Sequence, residues 1–548
     1  MQKRTLVPAI ATLCAAAFTL AGCGSQSKSA GSDSNGPSNN AIVTAYDNEP
    51  QNPLSPGASG ESGGIRVADE IYSGLVTYNK SGAIKNEMAS SIKPNADSTQ
   101  FTITIKDGWK FSNGTPVTAQ SFTKAWSYAA VGSNGMKNAW CFSAIKGYDD
   151  VQDKNTPSDA QLSGLKVVDP HTFTVDMNEP DAVFPTQLGY IAFAPLPESA
   201  FKDMKAFGNA PVTNGPYKLT SWAHNKSITL SKNPDYQGPR KPKNNGIKFQ
   251  IYTKADAAYS DVQAGNLDVL DKLPSSALKS FQSDASMNHI NVPGASFGGF
   301  TIPSELEHFK MDKEGRLRRQ AMSLAINRKL ITTKIFQGTR TPATDFLAPP
   351  VSGYSKTLKG NEVLRQNTAK AKQLWKEADT ISPYSGTFEI AYNSDSDHKP
   401  WIDAVCNQLK NALGINAEGK AFPTAAEFYD TLDSKTPTFA FYTSWGADWP
   451  SAQNFLVTLY ASSSADGKGS NTGNYKNPDF DKLMDQAAAS SSLEKANSFY
   501  QQGEEILFQD LPTIPLWYGN ATAVTTKSIS NLQPDFSSLP LYWAIVKK

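Results

Sequence analysis

The chain has 548 residues, and 52 basic against 51 acidic side chains leave a formal charge of +1. With 39% hydrophobic and 10% aromatic residues it can fill a substantial core, which excludes a largely disordered chain, and at roughly one domain per ~150 residues it holds several domains or a few large ones. Near-neutral charge excludes nucleic-acid binding through a cationic field, and four cysteines exclude a disulfide-dense scaffold.

Lys3 and Arg4 open a short basic region, an apolar run from Leu6 to Leu20 follows, and Leu20-Ala21-Gly22-Cys23 ends it. The run is too short and alanine-rich to cross a bilayer, so residues 1–22 read as a secretory signal peptide. Leu-Ala-Gly-Cys resembles the lipobox of bacterial lipoproteins, which implies cleavage before Cys23 and diacylation of its sulfur. Residues 24–40 are mostly Ser, Gly and Asn and have little to bury, so 23–40 read as a lipidated cysteine and a flexible tether. No later apolar stretch approaches the ~18–20 residues of a membrane helix. The expected location is the extracytoplasmic face of a bacterial cell membrane, held there by lipid.

Short alternating strands dominate the first half of the body. Phe101, Ile103 and Ile105 share one face, as do Phe173, Val175 and Met177, and Ile247, Phe249 and Ile251. Ser112-Asn113-Gly114, Asn214-Gly215-Pro216 and Asn233-Pro234-Asp235 supply turns between them. Helical periodicity becomes frequent after about residue 310. Leu317, Ala321, Leu324 and Ala325 line one face, and Ala371, Leu374, Trp375 and Ala378 another. Ile402, Val405, Cys406, Leu409 and Leu413 form a third stripe, stopped by Gly414 as a C-cap. The apolar run Leu541–Val546 is expected to return as a strand. Mixed strand and helix signals give an α/β or α+β class. Cys141 and Cys406 are open to two readings, buried free thiols or a disulfide.

Catalytic motifs are weak throughout. Two Gly-x-Ser-x-Gly matches, at 60–64 and 294–298, both read as loops rather than as the strand–serine–helix turn of a hydrolase. The histidines stand alone, there is no Cys-x-x-Cys, and there is no P-loop. The chain is therefore expected to be neither an enzyme nor a metal protein, and no cofactor is expected.

Several segments then resemble the extracytoplasmic oligopeptide- and dipeptide-binding proteins of bacterial ABC importers. Ile71-Tyr72-Ser73-Gly74-Leu75-Val76 resembles an early motif. The segment from Lys106 to Ala119, followed by a helix from about Ser121, is similar to the family's longest signature. Asn214–Leu219, Lys232–Tyr236, Arg319–Arg328 and Trp445-Gly446-Ala447-Asp448-Trp449 follow in order, then Asn474-Tyr475 and Phe480–Leu483. The resemblance implies an α/β, two-lobed clamp of the periplasmic-binding type with an extra subdomain in the first lobe. Lobe one would comprise 41–300, completed by 518–548, and lobe two 301–517.

The implied function is that of a solute-binding lipoprotein, a monomer that captures oligopeptides and delivers them to ABC permease subunits. Such clamps pair the peptide main chain as an added strand does, with roomy, wet side-chain pockets. The implied ligand-binding residues are Asp448 for the peptide's α-ammonium, Trp445 and Ala447 beside it, and the aromatic walls Trp140, Trp517 and Tyr518. Asn393 and His398 lie in a loop that resembles a cleft loop. Ser73 stands where some members carry glutamate, and Tyr442 where some carry an arginine for the peptide's C-terminus. These departures keep other cargoes open, an oligosaccharide, nickel or haem, and a serine hydrolase of cell-wall peptides is the alternative from another class.

Overall fold

The computed structural model describes residues 41–79, 82–434 and 437–548. The signal peptide, Cys23 and the tether lie outside the described residues.

Of the three strands expected in the first half, the one at 247–251 joins an eleven-stranded sheet and the other two a smaller one. From one edge the large sheet runs Asn416–Phe422, Thr387–Asn393, Ala440–Gly446, Asn288–Thr301, Thr513–Thr525, Val269–Leu270, Ile42–Asp47, Gly246–Ile251, Ser227–Lys232 and Tyr217–Ala223, with Arg340–Pro342 added against Thr513–Thr525. The strand Gly246–Ile251 alternates as its sequence does, with Ile247 and Phe249 fully buried. A separate four-stranded sheet pairs Ala89–Pro94, Gln100–Ile105, Thr172–Asp176 and Leu165–Asp169 in that order. The helix Ala119–Ala130 packs on it, opened by a capping box between Thr118 and Ser121. Its Phe122 and Trp126 meet Phe173 at ring-centroid distances of 5.8 and 5.6 Å.

Two large cores follow from this layout. One gathers Phe101, Trp126, Phe173 and Phe249 with Tyr542 and Ile545 from the far C-terminus. The other gathers Phe300, Met322, Trp375, Trp401, Phe455 and Tyr518. The helices of the second half appear where their apolar stripes placed them, at Lys313–Ala325, Thr368–Ile381 and Lys399–Leu413. Gly414 ends the last of these in the left-handed conformation, at φ 74°.

The two halves are joined by the strands Asn288–Thr301 and Thr513–Thr525, which pair antiparallel along most of their length. Their register is continuous from Asn288 to Pro293, shifts between Pro293 and Phe297, and shifts again between Gly298 and Gly299. Gly294, Ala295 and Ser296 thus form an irregularity in the middle of the crossing, and a Cβ on the facing Gly519 would lie 2.4 Å from the Ser296 hydroxyl.

Three expectations are corrected. The segment 294–298 is not a loop: it lies inside this long strand, with Ser296 opposite Gly446. Residues 60–64 are not a loop throughout either, since a helix begins at Ser62 and runs to Ile71. Its two glycines hid it from propensity, yet they fit closely packed backbone: a Cβ on Gly63 would lie 2.6 Å from the Asn48 carbonyl oxygen. Neither serine sits between a strand and a following helix, as a nucleophile elbow requires. The run 541–546 is not a strand. Tyr542–Ala544 forms a 3-10 turn, because the Asn244 side chain donates to the Tyr542 and Ile545 carbonyls, and only Val546–Lys547 pairs, with Ile529–Ser530. Cys141 and Cys406 are buried free thiols.

Candidate functional site

Stretches of chain distant in sequence line a cavity of about 370 Å³ on four sides. The helix Ser62–Ile71 contributes Arg66, Asp69 and Glu70, and the following segment Tyr72, Gly74 and Tyr78. Tyr190 and Arg240 add a second side, Ala447 and Asp448 a third, and the C-terminal segment from Asp535 to Trp543 a fourth. The volume falls in the range of small-ligand pockets, ~300–1,000 Å³.

Asp448 lies two residues beyond the strand Ala440–Gly446, and its position is set by Asn454 in the first turn of the helix Gln453–Tyr460. The Asn454 amide group donates to Asp448 Oδ2 at 3.1 Å. Its carbonyl oxygen accepts from the Asp448 backbone N–H at 3.1 Å and from Trp445 Nε1 at 3.2 Å. One buried side chain therefore fixes both the carboxylate and the indole. Asp448 does not cap the helix, whose N-cap position is Ala452. Burial pushes its carboxyl above the ordinary range, against the pull of the Asn454 hydrogen bond. Beside it, Trp140 from the first half stacks on Trp449 from the second at 5.9 Å and 26°, and leans on Tyr190 at 6.4 Å.

Residues 83–467 match the family of bacterial extracellular solute-binding proteins, family 5 Middle. The chain belongs to this family. It is 27% identical over 493 residues to the oligopeptide-binding protein OppA of Bacillus subtilis, covering 87% of this chain and 88% of that protein. It is 26% identical over 507 residues to the probable deoxycholate-binding periplasmic protein YgiS of Escherichia coli, covering 89% of each. Its fold matches an unliganded open form of the periplasmic murein tripeptide-binding protein MppA with a TM-score of 0.81 at 22% identity, over 92% of this chain and 97% of that one. The two-lobed α/β clamp expected from the sequence is thus the fold of this solute-binding protein, and it is an extracytoplasmic family. Among the described residues no helix is long and apolar enough to cross a membrane.

The residues singled out in the sequence separate into groups. Ala447 and Asp448 line the cavity, and Trp140 reaches its edge through Tyr190. Trp445 is held behind Asp448 and packs on the second core. Ser73 is buried: its hydroxyl donates to Glu87 Oε1 at 3.0 Å and accepts from Arg240 at 3.0 Å, while its neighbours Tyr72 and Gly74 line the cavity.

His398, Tyr442 and Trp517 gather elsewhere, around Trp401. The His398 and Tyr442 rings lie 3.8 Å apart, Trp401 donates to His398 Nδ1 at 3.3 Å, and Trp517 meets Trp401 at 5.0 Å. Burial lowers the His398 pKa, which favours the neutral imidazole over a cation for a ligand carboxylate. Asn393 donates to Asp395 at 2.5 Å, inside its own loop. Tyr518 is a core residue, its hydroxyl donating to the Asp345 carbonyl at 3.1 Å and accepting from the Thr344 N–H at 3.0 Å.

Asn454, Tyr190 and the acidic helix face at Asp69 and Glu70 were not legible in the sequence. Asn454 had no readable signal, being one amide at the start of an apolar helix. Asp69 and Glu70 were hidden with their helix.

Proposed function

We propose that this chain is a lipid-anchored solute-binding protein that captures oligopeptides between its lobes and delivers them to the permease subunits of an ABC importer. The observation that carries the reading is the Asp448 carboxylate. It sits on a cavity wall, is oriented by a buried asparagine, and has no ion-pair partner among the described residues. A carboxylate in that setting is matched by an ammonium, through short charge-assisted hydrogen bonds. The relatives named for oligopeptide and murein tripeptide binding support this choice of cargo. In this reading residues 41–300 and 518–548 form one lobe and 301–517 the other. The irregular antiparallel pair around Gly294–Ser296 and Gly519 is the hinge, and the Trp140–Trp449 stack is a contact that opens to admit ligand. Cys23 carries the lipid.

Native mass spectrometry of protein purified from cells without refolding tests the cargo. The expected result is a set of adducts with peptide masses that fragment into amino-acid series. Adducts of a sugar, a sterol or haem in place of peptides would overturn it.

A further inference from the structure

The cavity that holds Asp448 is lined by more carboxyl groups than its own two arginines pair with. Arg66 lines it, but the guanidinium is held by Asp47 at 2.6 Å and Asp271 at 2.7 Å, neither of which is part of the lining. Arg240 also lines it. It pairs with Glu87 at 3.1 Å, and its other nitrogens donate to the Asp69 and Tyr72 carbonyls and the Ser73 hydroxyl. Asp69, Glu70 and Asp535 remain on the same walls with no ion pair among the described residues.

A second observation is independent of charge counting. Glu70 is 4% exposed and its Oε2 has no hydrogen-bond partner; Tyr542, 1% exposed and also lining the cavity, has an unpartnered hydroxyl. Buried polar groups left without partners are costly, so this wall lacks something that donates to it. Burial is the main cause that raises Asp69 to about 7, Glu70 to about 8 and Asp535 to about 6; Asp535 raises Asp69 further and both raise Glu70, against the field of Arg240, while hydrogen bonds from the Ser537 hydroxyl and the Leu539 N–H pull Asp535 down. Near neutral pH these groups hold protons that an arriving cation displaces.

We propose that Asp69, Glu70 and Asp535 form a second cation subsite, which takes the lysine or arginine side chain of a peptide whose α-ammonium lies at Asp448. The assignment rests on the peptide reading above for the rest of the ligand, and on the wall itself for the charge. A side-chain cation fits better than a metal ion. Among the described residues no cluster of three or more His, Cys, Asp or Glu is placed to hold a metal, and Ile65, Val76, Ile191 and Ala194 in the lining suit a methylene stem.

The test is calorimetry with tetra-alanine peptides that carry lysine, or its neutral near-isostere norleucine, at each of the first three positions. At one position the wild type should prefer lysine by roughly tenfold or more. Asp69→Asn and Glu70→Gln, checked by their melting curves, should each reduce that preference and leave the norleucine peptide bound as before. Equal affinity for lysine and norleucine at every position would overturn the subsite and leave the peptide reading standing, with no variant needed. So would a preference that survives both substitutions. A thermal-shift series with 1,5-diaminopentane separates the remaining cases. If no peptide binds but the diamine raises the melting temperature of the wild type and not of the variants, the cation subsite stands and the peptide reading fails. If neither peptides nor diamine bind, both are overturned.

Discussion

Asp448 and Asn454 work as one unit, and substitutions at the two separate charge from position. Removing one partner of a desolvated charge pair costs ~2–5 kcal/mol of binding. Asp448→Asn is therefore expected to weaken a tight-binding peptide by about 2 kcal/mol or more, roughly thirtyfold at ~1.4 kcal/mol per decade. An N-acetylated form of that peptide should bind the wild type poorly, and calorimetry on both proteins with both peptides completes the cycle. Asn454→Ala keeps the charge but removes the three hydrogen bonds that hold the loop. It should weaken the free peptide by roughly tenfold while preserving the preference over the acetylated one; a preference lost in Asn454→Ala would mean that the asparagine itself contacts the ligand. Asp448 was legible only through resemblance, because Trp445-Gly446-Ala447-Asp448-Trp449 is similar to a segment of the peptide-binding family. Asn454 was not, because a single amide that organises a loop has no periodicity and no motif.

At the scale of elements, the apolar stripes read helices well because each buries a face against the second core, as Ala371, Leu374 and Trp375 do. Strands were legible where one face is buried and the other is not, as in Gln100–Ile105. The long crossing Asn288–Thr301 escaped, since its glycine-rich middle mimics a loop while two neighbouring strands supply its hydrogen bonds. The C-terminal run escaped for the opposite reason: its composition suits a strand, but Asn244 holds its carbonyls in a turn. Gly414 offers a clean check of an element boundary. At φ 74° with open space around its Cα, Gly414→Ala meets a purely conformational penalty of about 1 kcal/mol. A lowered melting temperature with unchanged ligand affinity is expected; an unchanged melting temperature would mean that the helix ends differently in solution.

For the whole molecule, buried carboxyls couple folding to pH. Glu504 is fully buried beside Asp345, and burial and the neighbouring carboxyl together raise its pKa well above the ordinary value. A carboxyl whose folded-state pKa is raised binds its proton more tightly in the native state than in the unfolded one. Its contribution to stability is complete below the ordinary carboxylate range, ~4, and is lost as pH rises through the raised folded value. The melting temperature of Glu504→Gln should therefore fall less than that of the wild type between pH 5 and pH 8. An equal or larger fall in the variant would show that Glu504 does not titrate in this way. The central property proposed for the molecule is closure of two lobes on a peptide, a proposal supported by two cores joined by an irregular strand pair and by an aromatic stack at the cavity's edge. Small-angle scattering with and without a peptide shown by calorimetry to bind measures this directly. A smaller radius of gyration is expected in the complex than in the free protein. An unchanged radius at saturating peptide would contradict it.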